Sequence, residues 1–218
     1  MDKVLMFMAH PDDEIIFGWP VTQDKTIEKH LILCCDDYTR YGSKRFKALC
    51  EVCNFAGIKL LGCFNFDNNF YAYPTRGEDL ALIDVVSTLR GSLRKALDEE
   101  SYNLVFTHNP WGEYGHFTHK LVFEIVCEEL YSVNGEGCRS VSPNLLITDI
   151  CIKNKTWPST NYLHPPYSKM LEGFKEICEL DLDMDFYNKC EGIYRGFGAW
   201  TWGGHDPVTK CSVFELEG

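Results

Sequence analysis

Residues 1–20 read MDKVLMFMAHPDDEIIFGWP. Val4–Met8 is a short continuous apolar run, which predicts a strand buried on both faces of a sheet. The group AHPDDE, residues 9–14, follows this run directly and places three consecutive acids after one histidine and one proline. Pro11 suits the first turn of a helix, where its missing N–H costs nothing. The stretch therefore predicts a buried strand that turns into a helix.

Strand and helix patterns alternate along most of the remaining chain. Further strands are predicted at His30–Cys35, Lys59–Phe64, Asn103–Thr107 and Asn144–Ile152. Apolar residues at three- to four-residue spacing predict helices over Tyr41–Ala56, Asp79–Glu99 and Phe117–Tyr131. This alternation predicts an α/β fold with a mostly parallel sheet, whose ligands bind at the carboxyl ends of the strands.

The last third of the chain has a weaker pattern. Pro165–Leu180 is compatible with a helix, and Gly192–Gly204 is rich in glycine and aromatic residues, which predicts irregular structure. Since no repeat, low-complexity tract or linker interrupts the chain, we expect one domain over residues 1–218.

Composition excludes some classes of function. The formal net charge of -11, without a cluster of Lys and Arg, argues against a nucleic-acid partner. No run approaches the roughly 20 apolar residues of a membrane span, and no signal peptide is evident, so we expect a cytoplasmic protein. In that compartment the 11 cysteines are expected to be free thiols.

Helix capping explains the three acids of AHPDDE but not its histidine. Asp12, Asp13 and Glu14 would be favoured near the positive end of a helix, whereas His10 has no capping role. His10 and Asp13 offer the nitrogen and oxygen ligands that Zn²⁺ accepts. Adjacent helical residues point about 100° apart, so one aspartate can bind a metal while the other reaches a water molecule.

A second histidine-bearing segment can complete such a site. Trp111–Lys120 reads WGEYGHFTHK, in which His116 and His119 would share one face of a helix. An isolated H-x-x-H is a weak signal. Here both segments follow predicted parallel strands, so they are expected to meet at one edge of the sheet.

Together, AHPDDE and the downstream G-H-x-x-H resemble the LmbE/PIG-L family of zinc-dependent de-N-acetylases, over roughly residues 3 to 125. The resemblance implies a Rossmann-like three-layer fold and a hydrolase that removes the N-acetyl group from an N-acetylglucosamine-type sugar or sugar conjugate. It implies Zn²⁺ as the cofactor, although a His₂Asp set also suits Fe²⁺. The oligomeric state is left open.

The resemblance also assigns roles to individual positions. The implied metal ligands are His10, Asp13 and His119. The implied catalytic residues are Asp12 as the general base, His116 as the group that stabilises or protonates the reacting amide, and Tyr114 as a transition-state stabiliser. Residues implied to hold sugar hydroxyls are Arg45 and Asp67.

The chain departs from the family pattern in three ways, one of which is that its last third shows no match to the family. Thr118 stands where the family's second motif has an aspartate, so a hydrogen bond can be kept but not a charge. Phe17–Pro20 shortens the first helix, and Trp19 is expected to line the pocket instead. Two alternatives stay open: a related metal amidase that acts on another acyl amide, and a non-catalytic metal- or sugar-binding member of the fold.

Several other residues have more than one interpretation. His108 would be either an outer partner of the metal site or a hydrogen-bonded core residue. Surface or loop positions are expected for His30, His164 and His205. Trp200 and Trp202 would either stack on a sugar or pack in the core. Asp36 and Asp37 are expected to open a solvated turn.

Overall fold

The computed structural model describes residues 2–35, 38–64, 78–131, 143–150 and 171–216. Its strands are β1 (Lys3–Met8), β2 (Glu28–Leu33), β3 (Ile58–Cys63), β4 (Leu104–Thr107), β5 (Asn144–Thr148), β6 (Phe174–Asp181) and β7 (Lys210–Leu216). Its helices are α1 (Asp13–Ile16), α2 (Trp19–Thr22), α3 (Tyr38–Tyr41), α4 (Ser43–Ala56), α5 (Glu78–Glu99), α6 (Gly112–Gly115), α7 (Phe117–Tyr131) and α8 (Met184–Gly196).

Seven strands form one sheet in the order β3-β2-β1-β4-β5-β7-β6. The first five are parallel to one another, while β7 runs antiparallel to both β5 and β6. The chain moves outward from β1 through β2 to β3 and then returns to place β4 on the other side of β1. The order of strands therefore reverses between β1 and β4, which is where open α/β sheets bind their ligands.

Helices cover both faces of the sheet, because β1 sends alternate side chains to opposite sides. Val4, Met6 and Met8 pack in one cluster with residues of α1, α2, α4 and α8. Leu5 and Phe7 pack in another with residues of α5 and α7. These layers confirm the predicted mixed α/β fold with a mostly parallel sheet.

Predicted and observed elements agree within a few residues for the first five strands. The predicted helix Tyr41–Ala56 is divided into α3 and α4 at Gly42, whose φ of 56° favours glycine. It ends at Gly57, as expected, with φ of 67°. Asp36 and Asp37 lie outside the described residues.

The prediction of a helix over Pro165–Leu180 is wrong in its described part. Phe174–Asp181 is strand β6, which pairs along its length with β7. The spacing of Phe174 and Ile177 fits a helix, but the paired residues lie 29 to 42 positions downstream in β7, and such tertiary pairing overrides local propensity.

The prediction of irregular structure over Gly192–Gly204 is wrong for its first residues. Helix α8 continues to Gly196. Its N-cap is Asp183, whose side chain accepts hydrogen bonds from the backbone N–H groups of Asp185 and Phe186. This Asp cap is a recognised start signal for a helix. Residues 197–209 contain no helix or strand, as predicted.

His30 is a core residue, which corrects its predicted surface position. Its side chain is fully buried on β2, with Nδ1 2.7 Å from the Tyr102 hydroxyl and Nε2 3.0 Å from a Glu28 carboxylate oxygen. His205 lies in the irregular segment after α8, and His164 lies outside the described residues. The nine described cysteines are free thiols.

Within the described ranges, no helix combines the length and apolar character that a membrane span requires.

Helix α4 provides a test of the packed layer that carries Arg45. Leu49→Ala is expected to lower the free energy of unfolding by about 2–5 kcal/mol, because Leu49 is fully buried and its truncation leaves a cavity. Phe46→Ala on the same helix is the control, since Phe46 is 39% exposed. Equal losses for the two variants in urea titrations would contradict this packing.

Candidate active site

The AHPDDE segment forms a tight turn at the carboxyl end of β1. Helix α1 begins at Asp13, two residues after the predicted start at Pro11, and lasts four residues. Asp12 precedes it with φ of 93°, a left-handed conformation that costs about 1–3 kcal/mol in residues other than glycine. Packing and hydrogen bonds around the turn must offset that cost.

Glu14 supplies one of those hydrogen bonds. Its buried carboxylate accepts the Asp12 backbone N–H at 2.9 Å and the Tyr194 hydroxyl at 2.7 Å. Burial raises the pKa of Glu14 to about 8. Sequence reasoning assigned Glu14 only to the helix terminus. The structure shows that it ties the turn to α8 at the far end of the chain.

His10, Asp13 and His119 converge at this turn. His10 Nδ1 lies 3.0 Å from Asp13 Oδ2, His119 Nε2 lies 3.2 Å from His10 Nδ1, and His119 Nε2 lies 3.3 Å from Asp13 Oδ2. Ligand atoms bound at about 2.0–2.1 Å in tetrahedral geometry lie about 3.3–3.4 Å apart. The three donors are therefore spaced to hold a Zn²⁺-sized ion with a fourth position open.

The histidines also govern the charge of Asp13. Burial opposes its ionised form, but His119 and His10 beside it hold the pKa of the Asp13 carboxyl well below its usual value. A deprotonated carboxylate is the form that binds a metal.

His116 differs from these three candidate donors in its hydrogen bonding. Its Nδ1 accepts the Thr118 backbone N–H at 3.3 Å, so the Nε2 of the neutral ring carries the proton. Burial, together with His119 and His10, lowers the pKa of His116 to about 2. The side chain is thus a neutral N–H donor at the edge of the donor group, with its ring 4.8 Å from that of His10.

The Asp12 carboxylate accepts hydrogen bonds from two side chains of other parts of the chain. Arg45 of α4 donates from Nη2 to Asp12 Oδ1 at 2.6 Å, and the Thr201 hydroxyl donates to Asp12 Oδ2. Burial raises the pKa of Asp12, and Arg45 opposes that rise. Arg45, expected at sugar hydroxyls, is 3% exposed and lies against the predicted base.

A cavity of about 220 Å³ opens above these groups. Six residues predicted from the sequence line it: His10, Asp12, Asp13, Arg45, Tyr114 and His116. His119 is fully buried beneath the others. Asp67 lies outside the described residues.

The C-terminal third of the chain supplies part of the cavity wall. Thr201 and Trp202 line it, and the Trp202 ring lies 5.9 Å from the Tyr114 ring. Trp200 packs instead against Tyr187 and Tyr194 of α8. The glycine- and aromatic-rich stretch was the sequence signal for these residues, but it did not show which tryptophan faces the cavity.

Trp19 does not line the cavity, which corrects the prediction made for it. It is 1% exposed and packs in the cluster beneath α1 and α2. The short α1 turns the chain back at Gly18, where an added Cβ would lie 2.6 Å from the Met6 methyl group. Because the chain approaches β1 this closely at Gly18, the next residue, Trp19, lies in the core.

Glu113 is a site residue that sequence reasoning missed. It has φ of 56° and ψ of -76°, and its carboxylate lies 2.6 Å from His119 Nδ1 and 3.0 Å from His108 Nδ1. Burial opposes its ionised form, but His108 and His119 lower the pKa of Glu113 to about 2. An acid six residues before the last histidine of H-x-x-H was the available signal.

Comparisons with known proteins agree with this architecture. The chain matches three solved structures over 98–99% of its length. Two are deacetylases of teicoplanin biosynthesis: a complex with teicoplanin, with a TM-score of 0.62, 10% identity and 98% of that chain covered, and a complex with bog, with a TM-score of 0.64, 11% identity and 96% of that chain covered. The third is the A40926 pseudoaglycone deacetylase, with a TM-score of 0.61, 12% identity and 96% of that chain covered. At these identities the likeness establishes the shared fold.

Comparison of sequences gives a match over only part of the chain. No protein-family model matches the chain. It is 28% identical over 147 residues to the uncharacterized protein L374 of Acanthamoeba polyphaga mimivirus, and the match covers 60% of this chain and 57% of that protein's length.

The Asp12–Arg45 pair predicts a specific pattern of stabilities. Arg45→Met is expected to destabilise the metal-free protein by about 3–5 kcal/mol, because it leaves a buried carboxylate without its cation. The double variant Arg45→Met/Asp12→Asn should recover most of that loss, since no unpaired charge remains. Unfolding free energies from urea titrations of both variants measure the pattern. A double variant less stable than Arg45→Met would contradict the pairing.

Proposed function

We propose that the chain is a metal-dependent de-N-acetylase of the LmbE/PIG-L type, acting on an N-acetylglucosamine-type sugar or sugar conjugate. The observation that carries the proposal is the triangle of donors formed by His10, Asp13 and His119, with the Asp12 carboxylate held beside it. The shared fold with deacetylases that act in antibiotic biosynthesis supports it. The proposal treats residues 1–218 as one such domain, located in the cytoplasm.

The donor set suits Zn²⁺, and Fe²⁺ also accepts two histidines and one carboxylate. When bound there, the ion would polarise the acetyl carbonyl and lower the pKa of a water molecule.

Asp12 is the proposed general base. Its carboxylate lines the cavity, and Arg45 and Thr201 hold it in one orientation, so that it accepts a proton from the attacking water without rotating. As the C–N bond breaks, Asp12 can return that proton to the leaving amine.

His116 is the proposed hydrogen-bond donor to the carbonyl oxygen. Since the ring stays neutral at physiological pH, it stabilises developing negative charge through Nε2–H and does not supply a full proton. Tyr114 lines the same cavity and is proposed to assist it. This refines the role implied by the family resemblance, in which His116 either stabilises or protonates the amide.

The aromatic wall provides a surface for the sugar. Trp202 and Tyr114 face the cavity from different elements, and aromatic faces pack well against the apolar faces of sugar rings. Arg45 is proposed to contact sugar hydroxyls with the guanidinium nitrogens that Asp12 does not use. Asp67 stays a predicted sugar ligand outside the described residues.

Deacetylation of N-acetylhexosamine conjugates, measured with added Zn²⁺ or Fe²⁺, tests the activity. Asp12→Asn is expected to lower kcat by about 10²–10⁴-fold, the usual contribution of a positioned acid–base group, while still binding metal. Cys53→Ala, a change in the core away from the cavity, is the control and should keep wild-type kcat. Equal turnover by Asp12→Asn and wild type would contradict the proposal that Asp12 is the general base. A protein that binds no metal would contradict the proposal of a metal-dependent hydrolase.

Trp202→Ala tests the aromatic wall separately from the chemistry. We expect KM for an N-acetylglucosamine conjugate to rise about tenfold, equivalent to about 1.4 kcal/mol of binding, with a smaller change in kcat. Phe55→Ala, which removes a largely exposed ring on α4, should leave both constants unchanged. A fall in kcat without a change in KM would show that Trp202 does not contact the sugar.

A further inference from the structure

The carboxylate of Glu113 joins the histidines that surround the donor triangle. One oxygen, Oε2, lies 2.6 Å from His119 Nδ1 and 3.0 Å from His108 Nδ1. The other, Oε1, accepts the Asn109 backbone N–H at 3.1 Å. Glu113, His108 and His119 are all buried, and the two rings stack with centroids 3.8 Å apart.

Three overlapping sets of metal donors contain His119. The set of His10, His116 and His119 is excluded, because His116 Nδ1 accepts the Thr118 backbone N–H and its Nε2 carries the proton. The other two sets include Asp13. The first is the triangle of His10, Asp13 and His119. The second replaces His10 with His108, whose Nε2 lies 3.4 Å from Asp13 Oδ2. Residue type and burial do not decide between them, because all four side chains are buried and all can bind Zn²⁺.

The positions of the protons on the histidine rings distinguish the donor set with His10 from the donor set with His108. A carboxylate oxygen accepts hydrogen bonds only, so His119 and His108 each present Nδ1–H to Glu113 and leave a lone pair on Nε2. The His119 lone pair faces His10 and Asp13. The His108 lone pair is occupied, because Nε2 accepts the Ala9 backbone N–H at 2.9 Å.

We propose that Glu113 is a positioning residue that selects the metal donors. It turns the Nε2 lone pair of His119 toward the metal position and commits His108 to holding the backbone at Ala9, where β1 leads into the AHPDDE turn. Glu113 would therefore link both histidine-bearing segments and restrict the ligands to His10, Asp13 and His119. The inference rests on the ligand set of the proposed function.

The backbone at residue 113 supports a role for this side chain. A positive φ is strained in any residue with a Cβ and is relaxed in glycine. Glutamate therefore occupies this position against a local preference, and its side-chain contacts offset the strain. Thr118, the position where the resembled family carries an acid, has no charge. Among the described residues, Glu113 and Asp13 are the carboxylates within 4 Å of a His119 ring nitrogen.

Glu113→Gln is the direct test, because its amide matches the carboxylate in shape but has only one oxygen. That oxygen is expected to keep the Asn109 backbone N–H, which cannot become an acceptor, so the NH₂ group would face the two rings. Two quantities are measured: the dissociation constant for Zn²⁺ by chelator competition, and the tautomers of His119 and His108 in the metal-free protein by ¹⁵N NMR. We expect Zn²⁺ to bind about 10–100-fold more weakly, the usual effect of losing the outer partner of a metal-binding histidine. At least one ring should also lose its Nδ1–H form.

Two further variants separate positioning from folding. Glu113→Gly relaxes the backbone while removing the carboxylate, so it is expected to fold and to show the same loss of affinity. Asp149→Asn also replaces a buried carboxylate by an amide, but Asp149 accepts the Ser212 backbone N–H between β5 and β7. It should lower the unfolding midpoint and leave Zn²⁺ affinity unchanged.

Neither readout requires deacetylation, so this inference and the proposed substrate fail independently. Wild-type affinity and tautomers in both Glu113 variants would overturn the inference. Equal losses of affinity in Asp149→Asn and Glu113→Gln would show a general effect of stability and would overturn it as well. If wild type bound no Zn²⁺, the proposed function would fail, while the tautomers of the metal-free protein would still test the role of Glu113.

Discussion

The site is organised by the need to bury several carboxylates close together without leaving any of them unpaired. Asp12, Asp13, Glu14 and Glu113 are all at most 4% exposed. An isolated buried charge is costly enough that a protein pairs it, neutralises it or does not fold around it. Each of these four acids is paired or neutralised by different neighbours, and these differences support a different proposed role for each acid.

The three consecutive acids diverge because the chain turns sharply between them. The left-handed conformation of Asp12 directs its carboxylate toward Arg45 and Thr201, while Asp13 meets two histidines and Glu14 meets a tyrosine hydroxyl. Repulsion within the run is thereby reduced, as each side chain lies in its own environment. A proton on Glu14, favoured by its raised pKa, removes one further charge from the cluster.

The fold and the meeting of His10, Asp13 and His119 at one edge of the sheet were largely predictable from the sequence, because both depend on local signals. Short apolar runs mark the parallel strands, and histidine close to aspartate after a strand marks candidate metal donors. Partners from distant elements were not predictable. Arg45 was assigned to the substrate because spacing says nothing about which group a guanidinium meets first. Glu113 was overlooked because its role requires the backbone at residue 113 to adopt a positive φ.

The contribution of the C-terminal third to the site was the hardest part to predict from the sequence. The motifs resemble a known family over roughly residues 3 to 125, yet the fold matches solved deacetylases over nearly the whole chain. Thr201 and Trp202 line the cavity from this region, and Tyr194 donates a hydrogen bond to Glu14 behind it. Their contacts are single hydrogen bonds and ring packing, which many residue types can provide, so no motif marks them. The proposed metal donors require a few residue types at set distances, whereas the region proposed to meet the substrate is free to vary with that substrate.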